Sequence, residues 1–282
     1  MRLRWLGIVA VVALMLSGCA VRFVYNQLDW LVPWYLDDYM QLEGPQKTLF
    51  KQRLDTYLAW HRKEQLPLYA DFLDQVAGRA EKGMSHDDIA HIQARTEQLA
   101  QVMIDRLKPD MMELFAMAND EQVASLFRKF EEDNAKYLKE NVKVSPGKQR
   151  RQRQQEVINY TERWTGSLDE KQRKLIADWS KRFELMQQEV FDTRLLWQQE
   201  FKRILALRAD RPAYEQAFTQ LLDNPGFGQS DELKRKLAVN QALLVDLYLE
   251  LEQSLSKDQR ASMVKKLKDY AKDFRELSKQ PQ

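Results

Sequence analysis

Few residues in this sequence could carry out acid–base or metal chemistry, because histidine and cysteine are scarce. Among 282 residues there are three His and one Cys. Asp87 and His91 lie four residues apart and could share a helix face, with His86 nearby, but zinc needs at least one further ligand and no H-E-x-x-H spacing occurs. We therefore predict a solvated helix start there, and a packed or exposed role for His61.

Motifs for nucleophilic catalysis and for phosphate binding are absent. There is no G-x-S-x-G turn, no P-loop and no Gly-x-Gly-x-x-Gly pattern. Acidic pairs such as Asp37-Asp38 and Asp231-Glu232 are frequent, yet neighbours in a helix point to different faces. The sequence predicts no catalytic residue, no metal site and no cofactor, and an envelope enzyme or enzyme accessory is kept as an alternative.

The sequence around Cys19 predicts a specific processing and modification of this residue. Arg2 and Arg4 precede an apolar run from Leu6 to Leu16. This run is too short to span a bilayer as a mature helix, which favours a cleaved signal segment. The alternatives are a secretion signal with an incidental cysteine and an uncleaved anchor.

The ending Leu16-Ser17-Gly18-Cys19 resembles the lipobox of bacterial lipoproteins. The resemblance implies that residues 1–18 are removed, that the Cys19 thiol carries diacylglycerol and that its new amino group is acylated, for example with palmitate. Several acyl chains on one residue give stable membrane attachment. Ala20 in place of Asp implies, by resemblance to lipoprotein sorting in enteric bacteria, the periplasmic face of the outer membrane.

Charge excludes a general affinity for nucleic acid. The formal net charge is +2, and without Arg2 and Arg4 the 44 basic residues become 42 against 42 acidic ones. One basic run remains, which consists of Lys148, Arg150, Arg151 and Arg153. It could bind phosphate on a lipid or be a solvated helix start after Pro146. It lacks the interleaved aromatic residues that bind single-stranded nucleic acid.

The elements that must position these residues are helices. Only 9 Gly and 8 Pro occur, and apolar residues recur at helical spacing with no convincing strand alternation. We predict an all-α, elongated multi-helix bundle with one long helix over about 168–208. The predicted divisions are a signal peptide at 1–18, an anchor-proximal segment at 19–44 and a periplasmic body at 45–282, which could be split into halves at 45–144 and 147–278.

The anchor-proximal segment is unusually aromatic. Its rings belong to Phe23, Tyr25, Trp30, Trp34, Tyr35 and Tyr39. Two interpretations stay open: the rings could enter the headgroup layer, where amphipathic aromatic side chains are favoured, or they could dock onto the body. We favour docking, because nearby acidic side chains would be repelled by anionic lipid.

One helix-start pattern recurs, in which an apolar residue is followed four positions later by Gln. It occurs as Leu42–Gln46, Leu168–Gln172 and Leu255–Gln259, with a degenerate copy at Ala118–Gln122. Polar residues between them would cap free N–H groups at the helix start. The pattern also resembles the LTxxQ motif of Spy-type periplasmic chaperones, which implies a chaperone of envelope proteins as an alternative function.

The layout as a whole resembles an uncharacterised family of Gram-negative lipoproteins, a domain of unknown function. The resemblance lies in the lipobox, the stretches Tyr25–Leu31 and Trp34–Tyr39, and Gln46. It implies a helical envelope protein and supplies no catalytic residue. The expected function is a non-catalytic binding module that is attached to the membrane through Cys19 and binds an unidentified envelope protein.

Overall fold

The computed structural model describes residues 18–281 and, for side chains, residues 21–281; this part is almost entirely helical and contains no strand. The α-helices are α1 (Gly18–Tyr25), α2 (Leu28–Asp37), α3 (Gly44–Trp60), α4 (Leu66–Lys82), α5 (His86–Ala116), α6 (Asp120–Tyr137), α7 (Pro146–Thr165), α8 (Glu170–Arg182), α9 (Gln187–Ala206), α10 (Arg211–Asp223), α11 (Asp231–Ser254) and α12 (Lys257–Lys279). The predicted all-α class is confirmed. Residues 1–17 of the predicted signal peptide lie outside the described part of the chain, and so does the side chain of Cys19.

Several separate clusters of buried apolar side chains hold the helical bundle together. Their buried members include Ile176, Trp179 and Leu247 between α8 and α11; Ile204, Tyr214 and Phe218 between α9 and α10; Ala77, Ala80 and Leu267 between α4 and α12; and Met40, Leu42 and Leu114 beside the start of α3. Val76 and Val264 belong to one of these clusters, and Leu126 and Phe201 belong to another. The two halves on either side of Ser145 therefore share part of their core.

The prediction of one continuous helix over 168–208 is wrong. The chain forms α8 and α9 instead, separated by residues 183–186. The side chain of Asn240 on α11 stabilises this break, since its Oδ1 accepts from the N–H of Glu184 at 2.8 Å and its Nδ2 donates to the Glu184 carbonyl at 2.8 Å. A side-chain amide thus replaces the helical partners of the backbone N–H and C=O of Glu184. No Gly or Pro marks the break, because the groups that stabilise it are distant in sequence.

A wide π turn over His61–Gln65 joins α3 to α4. Pro67 lies two residues after its end, and proline lacks an N–H and clashes with the carbonyl four residues earlier in a regular helix. The chain accommodates Pro67 by widening, and the N–H of Leu66 donates to the carbonyl of His61. The turn places His61, Arg62 and Gln65 in the interior.

The recurring helix starts are confirmed at α3, α6, α8 and α12. In each, the Gln side-chain oxygen accepts from the N–H of the residue that precedes the helix: Gln46 from Glu43, Gln122 from Asn119, Gln172 from Asp169 and Gln259 from Ser256, at 2.9–3.0 Å. These capping boxes satisfy donors that the first helical turn leaves free.

The four glutamines also join in pairs, which the sequence did not predict. Gln46 and Gln122 donate to each other's side-chain oxygen at 2.9 and 2.7 Å, and Gln172 and Gln259 do so at 2.9 Å in both directions. The second N–H of each amide donates to a backbone carbonyl of the partner's turn, at Met117, Gln41, Ser254 and Ser167. Each pair therefore fixes two helix starts against each other with every amide group in use.

We expect the paired glutamines to be energetically coupled. Gln46→Ala and Gln122→Ala should each lower the free energy of unfolding by about 1–3 kcal/mol, because each leaves the partner amide buried without its bonds. The double variant should cost clearly less than the sum of the single variants. Urea unfolding measures this, with the exposed Gln188→Ala as a control that stays within about 0.5 kcal/mol of wild type. Additive single effects would contradict the pairing.

Candidate functional site

The helix α1, which contains Cys19, is fixed onto the body. Arg22 on α1 forms an ion pair with the buried carboxylate of Asp273 on α12 at 3.0 Å. Three residues later, the Tyr25 hydroxyl lies 2.8 Å from Nδ1 of His61. The chain next to the predicted anchor is therefore docked on both α12 and the π turn.

His61 lies in a cluster of aromatic rings. The ring of Tyr25 stacks on it at 5.7 Å between centroids, that of Tyr57 at 6.1 Å, and Tyr69 contacts it edge-on at 5.5 Å. The side chain is 9% exposed. Burial lowers the pKa of His61 to about 4, and the neighbouring Arg62 cation lowers it in the same direction. His61 is accordingly neutral near pH 7 and is packed rather than placed beside a carboxylate.

Arg62 ties the N-terminal segment to the C-terminal end of the chain. Its guanidinium lies 5.0 Å from the centre of the Tyr25 ring and donates to Asn26 Oδ1 at 2.9 Å. It also donates to the carbonyl of Leu277 and to Gln280 Oε1, both at 3.3 Å. A buried cation is stable only when it is paired or hydrogen-bonded, and here the aromatic face and three oxygens fill that role.

Some aromatic side chains of the anchor-proximal segment dock onto the body, and others are exposed to solvent. Tyr25 docks as described, and the Tyr39 hydroxyl donates to Asp133 Oδ2 on α6 at 2.9 Å. Phe23, Trp30 and Trp34 are 67%, 60% and 56% exposed. The rings of the last two stack on each other at 6.2 Å. The prediction that the aromatic side chains dock onto the body is thus confirmed for Tyr25 and Tyr39 and wrong for Phe23, Trp30 and Trp34. We call these last three residues the exposed aromatic set.

The four residues of the basic run also differ in their contacts and exposure. Arg150 donates to the carbonyls of Ser180 and Phe183 at 2.6 and 2.7 Å, so it caps the C-terminal end of α8. Arg153 pairs with Glu156 on its own helix at 3.0 Å. Lys148 and Arg151 are exposed. Within the predicted four-residue patch, Arg150 therefore stabilises the fold, and Lys148 and Arg151 are surface cations.

The candidate metal-binding residues are spread over an exposed helix start. His86, Asp87 and His91 are all exposed on α5. Asp88 contributes to the structure there, because it accepts from Ser85 at the helix start and pairs with Arg79. Within residues 18–281 no three His, Cys, Asp or Glu side chains are arranged to hold a metal ion.

Sequence reasoning missed Tyr25, Asn26, Arg62 and Gln280 as one cluster. Asn26 Nδ2 donates to Gln280 Oε1 at 3.0 Å, across 254 positions of the chain. No local spacing signals such a contact. The aromatic content of the segment and the polar Asn26 between its two helices were the only visible indications.

Comparison with known proteins places the chain in one family. Residues 38–234 match a family of unknown function (DUF6279), which covers more than half of the sequence, and the chain belongs to that family. No curated protein and no solved structure matches it. In the described part of the chain, no helix has both the length and the apolar character that a membrane span requires.

We expect His61 to make stability depend on pH on the acid side. Its pKa is about 4 when folded and about 6.5 when unfolded, so the unfolded chain binds the extra proton between these values. Stability is unaffected by His61 above pH 6.5 and falls as the pH drops from 6.5 to 4, by up to about 3 kcal/mol.

Urea unfolding at pH 7.5 and pH 4.5, compared between wild type and His61→Asn, isolates this contribution. The variant keeps an acceptor for Tyr25 and should lose less stability between the two pH values. His86→Asn at the exposed start of α5 is the control and should behave as wild type. An equal loss in wild type and His61→Asn would contradict the assignment.

Proposed function

We propose that this chain is a lipid-anchored protein of the bacterial envelope. In this proposal Cys19 carries the acyl chains at the periplasmic face of the outer membrane, and the helical body binds another envelope component without catalysis of its own. The observation that carries the proposal is the docking of α1, since the anchor-proximal chain is bound to the body by Arg22, Tyr25 and Arg62.

The docked helix would hold the body close to the membrane. Cys19 and Arg22 lie three residues apart in the same helix, which is about 4.5 Å along its axis. A lipid on Cys19 would therefore bring the Arg22–Asp273 ion pair to within roughly one helical turn of the membrane surface. A free tether of the same length would leave the orientation of the body undefined.

The exposed aromatic set supports the same placement. Tryptophan is favoured at the membrane–water interface, where its ring is amphipathic, and exposed Trp30 and Trp34 are costly in water alone. Asp29, Asp37 and Asp38 are exposed on the same segment. Their charge opposes binding to anionic lipid, so the set should prefer a zwitterionic surface.

A binding role, rather than a catalytic one, is supported by the use made of buried polar side chains. Asn134 Nδ2 donates to Gln198 Oε1 at 2.6 Å between α6 and α9, and the paired glutamines join helix starts. Asn240 stabilises the break between α8 and α9. These buried amides are therefore used to hold helices together.

Lipidation is tested first. Cells grown with radiolabelled palmitate should incorporate label into the wild-type chain, and Cys19→Ala should abolish the label and release the protein from the membrane fraction. Ser17→Thr, a change that keeps Cys19, is the control and should remain labelled. An unlabelled wild-type chain would overturn the proposed anchor.

The exposed aromatic set gives a second test that is independent of the lipid. Residues 20–282 should bind phosphatidylcholine vesicles weakly, and Trp30→Ser/Trp34→Ser should lower the partition coefficient about tenfold or more, because two large apolar surfaces no longer leave water. Vesicle co-sedimentation measures this. Leu195→Ser/Leu196→Ser removes two similarly exposed residues of α9 and should have no effect; equal effects of both changes would contradict an interface at the N-terminal segment.

A further inference from the structure

The helix that holds the anchor-proximal segment is also the most basic helix of the described part of the chain. α12 carries eight Lys and Arg residues and four Asp and Glu residues. No other helix within residues 18–281 has so large an excess of positive charge. Outside the predicted signal peptide the chain has equal numbers of basic and acidic residues, so the excess on α12 is a local feature.

Four exposed lysines of α12 lie on one side of the helix. At 3.6 residues per turn they fall within an arc of about 80° and extend over about 22 Å. We call them the lysine face, and they are Lys257, Lys265, Lys268 and Lys272. A row of charges on one side of a helix can be presented together to a single extended surface.

The ion pairs of the lysine face are weak ones. Lys265 pairs with Asp269 at 2.7 Å and Lys268 pairs with Glu81 at 2.5 Å, and all four side chains are well exposed. Exposed pairs of this kind contribute little to stability, so a stronger anion can replace the carboxylate. Lys257 and Lys272 form no ion pair with the described residues.

An open groove of about 630 Å³ runs beside the lysine face. Lys257, Lys265 and Lys268 line it. Its other cation, Arg260, is bound by Glu252 and by a backbone carbonyl of α4. The accessible positive charge of the groove therefore comes from the lysines.

The docking of α1 places the predicted lipid anchor beside this face. Arg22 contacts Asp273, and Asn26 contacts Gln280, so the chain runs in the same direction along α1 and α12. Cys19 lies three residues before Arg22, and its backbone is therefore level with about residue 270 of α12. That level is within one helical turn of Lys268 and Lys272. Because Lys272 is adjacent to Asp273, α1 and the lysine face lie on neighbouring sides of α12.

The acidic side chains of the anchor-proximal segment lie away from this position. Asp29, Asp37 and Asp38 all follow Asn26, which is roughly 10 Å further along the chain axis than Cys19. Their repulsion of anionic lipid acts at that end of the segment. The lysine face acts at the Cys19 end.

We infer that the lysine face binds the phosphate groups of anionic phospholipid in the membrane that holds Cys19. Lysine ammonium groups bind phosphate as point charges and need no closed pocket, which suits an open groove on one side of a helix. Each Lys near an anionic leaflet strengthens attachment about fivefold. The inference rests on the proposed lipid anchor and names the lipid class that the body contacts.

Lysine acetylation of the full lipidated chain in nanodiscs tests this inference. Rates are measured by mass spectrometry at each lysine, in discs of phosphatidylcholine alone and in discs with an equal amount of phosphatidylglycerol. The four lysines of the face should react about threefold more slowly or less when phosphatidylglycerol is present. The exposed Lys47, Lys148 and Lys171 are internal controls and should react equally in both discs.

Charge variants separate the lysine face from the basic run at the start of α7. Lys265→Gln/Lys272→Gln should reduce the phosphatidylglycerol-dependent protection of Lys257 and Lys268 about twofold or more, since neighbouring cations attract the same headgroups. Lys148→Gln/Lys171→Gln removes the same charge at exposed positions elsewhere and should leave that protection unchanged.

Three results would overturn the inference. One is an equal rate at the lysine face in both kinds of disc, and another is protection of Lys148 in place of the face. The third is equal protection by inorganic phosphate in phosphatidylcholine discs, which would assign the face to a free anion. A chain that does not stay with the discs would overturn the anchor and with it this inference, and the two failures are distinguishable because the first three results require an anchored chain.

Discussion

The π turn at His61–Gln65 is the constraint on which the N-terminal part of the structure depends. Pro67 prevents a regular helix there, and the widened turn brings His61 and Arg62 into the interior. These two side chains then hold Tyr25 and Asn26 by a hydrogen bond, a ring stack and a cation–π contact. Docking of the anchor-proximal segment follows from a proline more than forty positions away.

A second constraint is the free N–H groups at helix starts. An all-α chain with many short turns has many such starts. At four of them a glutamine side chain caps the helix, and these glutamines are hydrogen-bonded in pairs. Because each glutamine caps its own helix and bonds to its partner, the cap and the helix packing are established together. Apolar contacts alone would leave the relative positions of these helices less defined, since they are not directional.

Local features of the structure could be predicted from the sequence, and contacts between distant residues could not. The all-α class, the helix starts with Gln and the break at Ser145–Gly147 follow from spacing, capping residues and breakers within a few positions. The interruption at residues 183–186 depends on Asn240 and Arg150, neither of which is adjacent in sequence. A shallow cleft lined by Tyr160 on α7, Trp179 on α8 and Tyr248 on α11 takes its walls from three helices, so its residues share no spacing. Basic residues were visible as a run, but the capping role of Arg150 depends on the fold.

The central claim is that the chain next to Cys19 is clamped to the body rather than free. Hydrogen exchange on the full chain in lipid nanodiscs, followed on a peptide that covers residues 21–27, tests it most directly. Clamping predicts slow exchange of the Tyr25 and Asn26 amides that approaches the rate in α12, and faster exchange in Arg62→Met. Exchange of residues 21–27 at the rate of an unstructured chain, while α4 and α12 stay protected, would contradict the claim.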